Sequence, residues 1–367
     1  MSLQYIFGGS GAGKSTYLYN SIIKESINNP LENYIIVVPE QYTMATQKRV
    51  VELHPRKGVL NIDVVSFERL AYKVFEEVGA ADYPVLDDTG KNLIVRRVLE
   101  QNKKALRFFG SNISNTGFVS ELKSVISEML QYDISVDKLL DINKNVDNNS
   151  LLGMKLDDIS LIYGGFKEFI KNNYITSEEI LDLMCRKVTE SSKIRGSVIA
   201  FDGFTGFTPV QYRLMAILLD MCKEVKVALT IDISEHVNIN EGIESLFYMT
   251  KDTVAHLNRI CDEGHINVDK VTVGEDTVLT RFAASKELAF LEKNIFRPGL
   301  RYYSGKVNDI VMYAGITPKD EIQYVSGEIL KLTRLQGFRY NEIAVVTGDI
   351  SVYGKLAANI FAQNDIP

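Results

Sequence analysis

The sequence predicts an α/β fold: a parallel sheet interrupted by an all-helical insertion and followed by the start of a second α/β unit. Three observations carry this. Short apolar runs ended by Gly8, Pro39 or Asp202 alternate with helical patterns, as buried parallel strands do. The block 87–188 reads as helix only, and strands resume at Val198. The first helix opens directly on a glycine-rich loop.

The elements follow in order. Leu3, Tyr5, Ile6 and Phe7 form a first strand, and Ser15 to Ile27 a helix. Tyr34–Val38 is an unbroken apolar strand that Pro39 ends. Ile62–Val65 is a third strand, leading into a helix from Phe67 to Val78. Within the helical block, Phe118, Leu122, Val125, Ile126, Met129 and Leu130 keep the spacing of one helix face. Ile159, Ile162, Tyr163, Phe166, Phe169 and Ile170 do the same, with Asn143–Ser150 as the loop between. Val198–Phe201 is the next strand, then a helix over Pro209–Met221 and a strand over Val225–Ile231. From Glu235 to Gly305 the pattern is mixed, with a helix over Ser245–Cys261. A last unit reads as strand Ile310–Tyr313, helix Lys319–Leu335, strand Glu342–Val346 and helix Tyr353–Gln363. The expected domains are therefore 1–86 with 189–308, the insertion 87–188, and 309–367. A compact domain rarely stops so soon after such a helix, which points to a longer parent protein.

Composition narrows the class. Of 367 residues, 46% are apolar and 24% charged, which suits a folded chain and excludes wholesale disorder. No apolar run reaches the roughly 18 residues of a membrane span. Three cysteines are too few and too scattered for a disulfide framework or a zinc site, so a cytoplasmic location is expected. The net charge of −6 requires any nucleic-acid partner to use a local basic patch.

Gly8-Gly9-Ser10-Gly11-Ala12-Gly13-Lys14-Ser15, followed by Thr16, matches the P-loop pattern and has a strand before it and a helix after it. Backbone N–H groups and the helix dipole converge there on a phosphate, and the glycines let the backbone approach it. ATP is the expected ligand, with Lys14 at the β/γ-phosphates and the Ser15 hydroxyl on Mg²⁺. A second Mg²⁺ ligand is expected from a carboxylate at a neighbouring strand end, and Asp202 after Val198–Phe201 fits. A turn or helix-capping aspartate is the alternative for Asp202. The next residue, where an efficient NTPase carries an acid, is Gly203.

Several segments in order then resemble one family. The P-loop, VVPEQYT (Val37–Thr43), VSFERLAYKV (Val65–Val74) and FDGFTGFTP (Phe201–Pro209) are similar to the AddB (RexB) subunit of the bacterial AddAB helicase–nuclease. FRYNEIAVV (Phe338–Val346) resembles the entry to the second core domain of superfamily-one helicases. The resemblance implies a RecA-like, P-loop NTPase core and an inactivated helicase that scans single-stranded DNA for the hotspot Chi. It implies an AddA-type partner and work in double-strand break repair and recombination. It also implies a longer protein whose C-terminal part carries the nuclease domain and an iron–sulfur cluster, neither visible here. The DNA-reading residues it implies are Gln41, Thr43, Phe67, Arg69, Tyr72 and Phe207. Stacking faces and hydrogen-bonding groups suit that task, and core packing is the alternative for the aromatics.

Other features are weighed beside these. Lys91, Arg96, Arg97, Lys103, Lys104 and Arg107, with Glu100 the lone acid, could track phosphates or form a solvated helix face. The four histidines have no metal-ligand spacing. Asp87-Asp88 and Asp157-Asp158 read as acid pairs at helix starts. Against the regulatory reading stand an active P-loop ATPase or nucleoside kinase-like phosphotransferase, and a structural module with a vestigial loop. This segment is expected to bind ATP with weak or no turnover and to have no nuclease activity.

Overall fold

Side chains alternate across a pleated strand, so a strand that is apolar at every position needs cover on both faces of its sheet. The structure, a computed structural model, describes residues 1–79, 84–111, 115–147, 149–171, 174–239, 242–274, 280–297 and 299–367. Its first unit, Met1–Ala283, is built around six strands. β1 (Ser2–Gly8) passes through the glycine loop into α1 (Lys14–Asn28). β2 (Tyr34–Val37) and α2 (Thr43–Leu53) follow, then β3 (Ile62–Val65) and α3 (Phe67–Val78). The helical block comprises β4 (Val85–Leu86), α4 (Asp88–Asn102), α5 (Thr116–Gln131), α6 (Val136–Asn143), α7 (Leu151–Ile170) and β5 (Ile175–Thr176). The chain returns through α8 (Ile180–Lys187), β6 (Val198–Phe201), α9 (Pro209–Met221), β7 (Glu224–Thr230), α10 (Tyr248–Glu263) and β8 (Asn267–Thr272).

The sheet runs β3-β2-β6-β7-β1-β8 with every pairing parallel. Ile6, Ile36 and Ala200 face α1 and α2, where Leu18, Ile22 and Val50 are buried. Phe7, Val37, Phe201 and Val227 face the other way, onto α3, α8, α9 and α10. Each of the larger of these side chains contributes about 1.5–3 kcal/mol by burial. α9 starts where Thr208 and Gln211 form a reciprocal capping box, with Pro209 at the first helical position. β8 lies outside the sequence expectation. Its residues NVDKVT carry no apolar run, because an edge strand is largely exposed.

The helical block has a separate core of Val95, Val98, Leu99, Leu122, Ile126, Ile162 and Phe166. A Cβ on Gly165 would stand 2.7 Å from the Val98 side chain, so α4 and α7 pack as closely as they do only with glycine there. The block is not helix alone: β4 and β5 pair in parallel at Val85–Ile175 and Leu86–Thr176. α8, within the expected insertion, gives Ile180 and Met184 to the sheet's core rather than to the block's.

The second unit is Ala284–Pro367, beginning ahead of the expected start at Asp309. It holds α11 (Lys286–Asn294), α12 (Pro318–Leu335) and α13 (Ile350–Gln363). Ile322 and Ile329 of α12 and Ile360 of α13 are buried, and the Tyr353 hydroxyl donates to Glu321 at 2.6 Å. The expected strands Ile310–Tyr313 and Glu342–Val346 are not strands. Among the described residues no segment pairs with them, and an apolar run becomes a strand only when a neighbour accepts its backbone bonds. Met312 and Val346 stand over 90% exposed as a result. No helix among the described residues is long and apolar enough to cross a membrane.

Candidate functional site

The glycine loop joins β1 to α1 at the carboxyl edge of the sheet. Gly11 and Gly13 have φ of +80° and +93°, a backbone that residues with a Cβ rarely adopt. Gly8 is fixed differently: a Cβ there would meet the Val273 carbonyl at 2.6 Å. Gly13 caps α1, and no side chain caps its first turn. A helix N-terminus of this kind, reached through glycines, is an anion cradle. The Lys14 ammonium folds back over it, donating to the carbonyls of Gly8 at 3.0 Å and Gly9 at 2.9 Å.

Asp202 follows β6, its N–H bonded to the Val37 carbonyl, and is 6% exposed. Its Oδ2 accepts from the Tyr19 hydroxyl of α1 at 2.6 Å. Burial, reinforced by the Asp202 charge, pushes the Tyr19 phenol far above its ordinary pKa, so it stays a donor. Gly203 has φ +81° and lies against Pro39 and Tyr42. An acidic residue there would be strained by that φ.

Lys14, Ser15, Asp202 and Thr230 line one cavity of about 570 Å³, together with Arg281. Arg281 escaped the sequence reading. It sits in the turn Thr280–Phe282, far from any motif. A Cβ on Gly11 would lie 2.8 Å from the Arg281 Cβ, so the two segments are in contact and a cation joins the cavity's lining. Tyr19 was missed too. Its spacing of four from Ser15 puts both on one helix face, a pattern the sequence does contain.

The other half of the edge, beyond β2, β3 and β6, gathers the six expected DNA-reading residues, but not all at the surface. Phe67 is buried, with its ring centroid 5.6 Å from Phe201, 5.3 Å from Phe204 and 6.3 Å from Phe207. It offers no stacking face, because α3 starts on the sheet and its first residue points inward. Thr43 is also buried, its hydroxyl donating to the Glu40 carbonyl at 2.9 Å. Phe207 is half-buried in the same aromatic cluster. Gln41 is exposed. Arg69 is exposed and bonds Glu40 at 3.0 Å. Tyr72, 37% exposed, lines with Arg69 a cleft of about 390 Å³. Tyr42, beside Gln41 and 51% exposed, is a further accessible aromatic.

Four of the six cations of the basic stretch 91–107 are engaged by other groups. Lys91 is 2% exposed and bonds Glu178 at 2.8 Å. Arg96 pairs with Glu100, Arg107 with Asp157, and Arg97 lies over the Phe169 ring. Asp87 does cap α4, as its position before the helix implies. Asp157 and Asp158 instead lie mid-way along α7. Buried Asp158 accepts the backbone N–H groups of Arg107, Phe108 and Phe109, holding the turn after α4. Among the described residues no cluster of three or more His, Cys, Asp or Glu could hold a metal.

Fold and site together define a parallel α/β domain, helices on both faces, with a glycine-rich loop opening its first helix. The chain belongs to the family described as ADDB, N-terminal, whose model matches residues 5–292. It is similar to the B-type subunit of the ATP-dependent helicase/deoxyribonuclease of Lachnoclostridium phytofermentans, with 41% identity over 370 residues. The proteins of the same name from Caldanaerobacter subterraneus and Clostridium novyi are 34% and 32% identical. Each match takes in 100% of this chain, which spans 31–32% of the length of these relatives.

Proposed function

We propose that this chain is the N-terminal part of an AddB-type protein that binds ATP with Mg²⁺ at the glycine loop. In this reading it binds single-stranded DNA on the adjacent half of the sheet edge. It acts with an AddA-type helicase–nuclease in break repair, scanning the strand for Chi. The observation that carries the reading is the loop: two left-handed glycines and an uncapped helix start, with Lys14 above them. Gly8–Thr16 then serves as a P-loop, and Lys14 with Arg281 offsets the phosphate charge. The Ser15 hydroxyl and Asp202 carboxylate suit Mg²⁺, being hard oxygen donors on one cavity. The cation, when bound, supplies positive charge between phosphate oxygens.

Turnover is weak in this reading, because Gly203 supplies no carboxylate to orient water. Gln41, Arg69 and Tyr72 are the DNA contacts, with Phe207 at the margin and Phe67 and Thr43 holding the surface from beneath. Calorimetry with ATP·Mg²⁺ on the wild type and Lys14→Ala tests the nucleotide site. A charge-assisted bond is worth about 1.5–3 kcal/mol, so the variant should bind roughly ten- to a hundredfold more weakly. Equal affinities would remove the assignment. Rapid steady-state hydrolysis with single-stranded DNA present would favour the active phosphotransferase instead.

A further inference from the structure

Tyr19 is 5% exposed and lies on the α1 face that packs on the sheet, yet its hydroxyl is not spent on a backbone carbonyl. It donates to Asp202 across the fold. Ser15 lies one helical turn before it on the same face of α1. One buried oxygen thus ties α1 to the carboxylate that the proposed function gives to the cation, one turn from the Ser15 that supplies the other ligand.

A carboxylate with both oxygens able to rotate is a poor hard-cation ligand. Mg²⁺ demands near-ideal octahedral geometry from few protein groups. Tyr19 occupies Oδ2 and fixes the carboxylate plane. Oδ1 and the remaining lone pairs stay available for a second partner. Groups that hydrogen-bond a metal ligand typically govern about 10–100-fold in metal affinity. We infer that Tyr19 is a positioning residue for the cation site: its hydroxyl presets Asp202 so that Mg²⁺ strengthens nucleotide binding. The inference rests on the nucleotide reading above and adds a residue outside the loop and strand-end motifs.

Tyr19→Phe removes a single oxygen and keeps the packed ring. ATP affinity would be measured on the full chain by calorimetry, in EDTA and in excess Mg²⁺, for wild type, Tyr19→Phe, Asp202→Asn and the double variant. The EDTA affinity, which depends on the loop and Lys14, should be the same in wild type and Tyr19→Phe and reports that the site is folded. The Mg²⁺-dependent gain should fall about tenfold or more in Tyr19→Phe. In the Asp202→Asn background Tyr19→Phe should cause no further loss, which a merely structural role would not produce. A full Mg²⁺ gain in Tyr19→Phe, or additive losses in the double variant, would overturn the role of Tyr19 while leaving the nucleotide site standing. A wild type that binds no nucleotide would overturn both.

Discussion

The carboxyl edge of the sheet divides into two halves that are built on different principles. Beyond β1 and β7 lies a polar cavity whose shape comes from the backbone: glycines at positive φ, a helix start, a lysine folded onto carbonyls. Beyond β3, β2 and β6 lies a surface whose shape comes from side-chain packing. Phe67, Phe201, Phe204 and Phe207 pack ring on ring there. Phe67 and Phe201 are buried in that cluster, and Phe204 and Phe207 are only half-buried at its margin. A motif defines the first half because each residue has one backbone role. Residue type cannot define the second, since an aromatic serves equally as a core member or a stacking face.

The comparison can be broken most directly at Phe67. Phe67→Ala should cost about 3–5 kcal/mol in a urea titration, as buried aromatics do. Tyr72→Ala, exposed on the same helix, should stay under ~1 kcal/mol. Similar losses at both positions would erase the distinction between buried and presented aromatics.

On the polar side, Gly11→Ala imposes a Cβ on a φ of +80° and drives it against Arg281. Strain of that kind costs about 1–3 kcal/mol. Unfolding should register it, and ATP binding should weaken at the same time. A neutral Gly11→Ala would mean that the loop adapts.

Glu77, near the end of α3, fastens the aromatic half to the approach to β6. Burial alone would raise its pKa. The Ser191 and Ser192 hydroxyls with the Ser192 and Lys193 N–H groups outweigh burial and hold it at about 2, against an ordinary value of 4.5. A carboxyl depressed in the folded state stabilises above its unfolded pKa, and the contribution disappears as pH falls from about 4.5 toward 2. Glu77→Gln should therefore lose roughly 1–2 kcal/mol at neutral pH, the part-exposed site being screened by solvent. It should match wild type near the acid limit. An equal deficit at both pH values would separate the defect from ionisation.

The smallest stability effect belongs to Arg69→Ala. Its ion pair with Glu40 is exposed, so the change in stability should stay within about 1 kcal/mol. Its effect should appear in binding. By fluorescence anisotropy, single-stranded DNA affinity should fall and sequence preference relax, whereas Lys14→Ala should leave both unchanged in the absence of nucleotide. Equal DNA losses from the two variants would mean that the halves are one site.

Local pattern made much of this legible. Strand–loop–helix at Gly8–Ser15, the helix faces of 116–131 and 151–170, and Asp202 after four apolar residues were all readable along the chain. What failed did so for identifiable reasons. Ile310–Tyr313 and Glu342–Val346 have strand composition but no partner among the described residues. β8 has a partner but no strand composition, because the edge of a sheet tolerates polar residues. Asp158 resembled a helix-start acid, yet the three N–H groups it satisfies belong to a turn remote in sequence.

By itself the sequence determined most of the core strands and helices of the first unit, the family, and the strand, glycine loop and helix at 2–28. Those depend on spacing along the chain and on the few residues that tolerate a given φ. Tertiary structure decided which residues share a surface. It buried Phe67, Thr43 and Lys91, left Gln41, Arg69 and Tyr72 outside, and brought Arg281 and Tyr19 to the loop and to Asp202. The reason is that burial and long-range contact depend on how a sheet stacks its strands, β6 beside β2 and β8 beside β1, and no local pattern encodes that order.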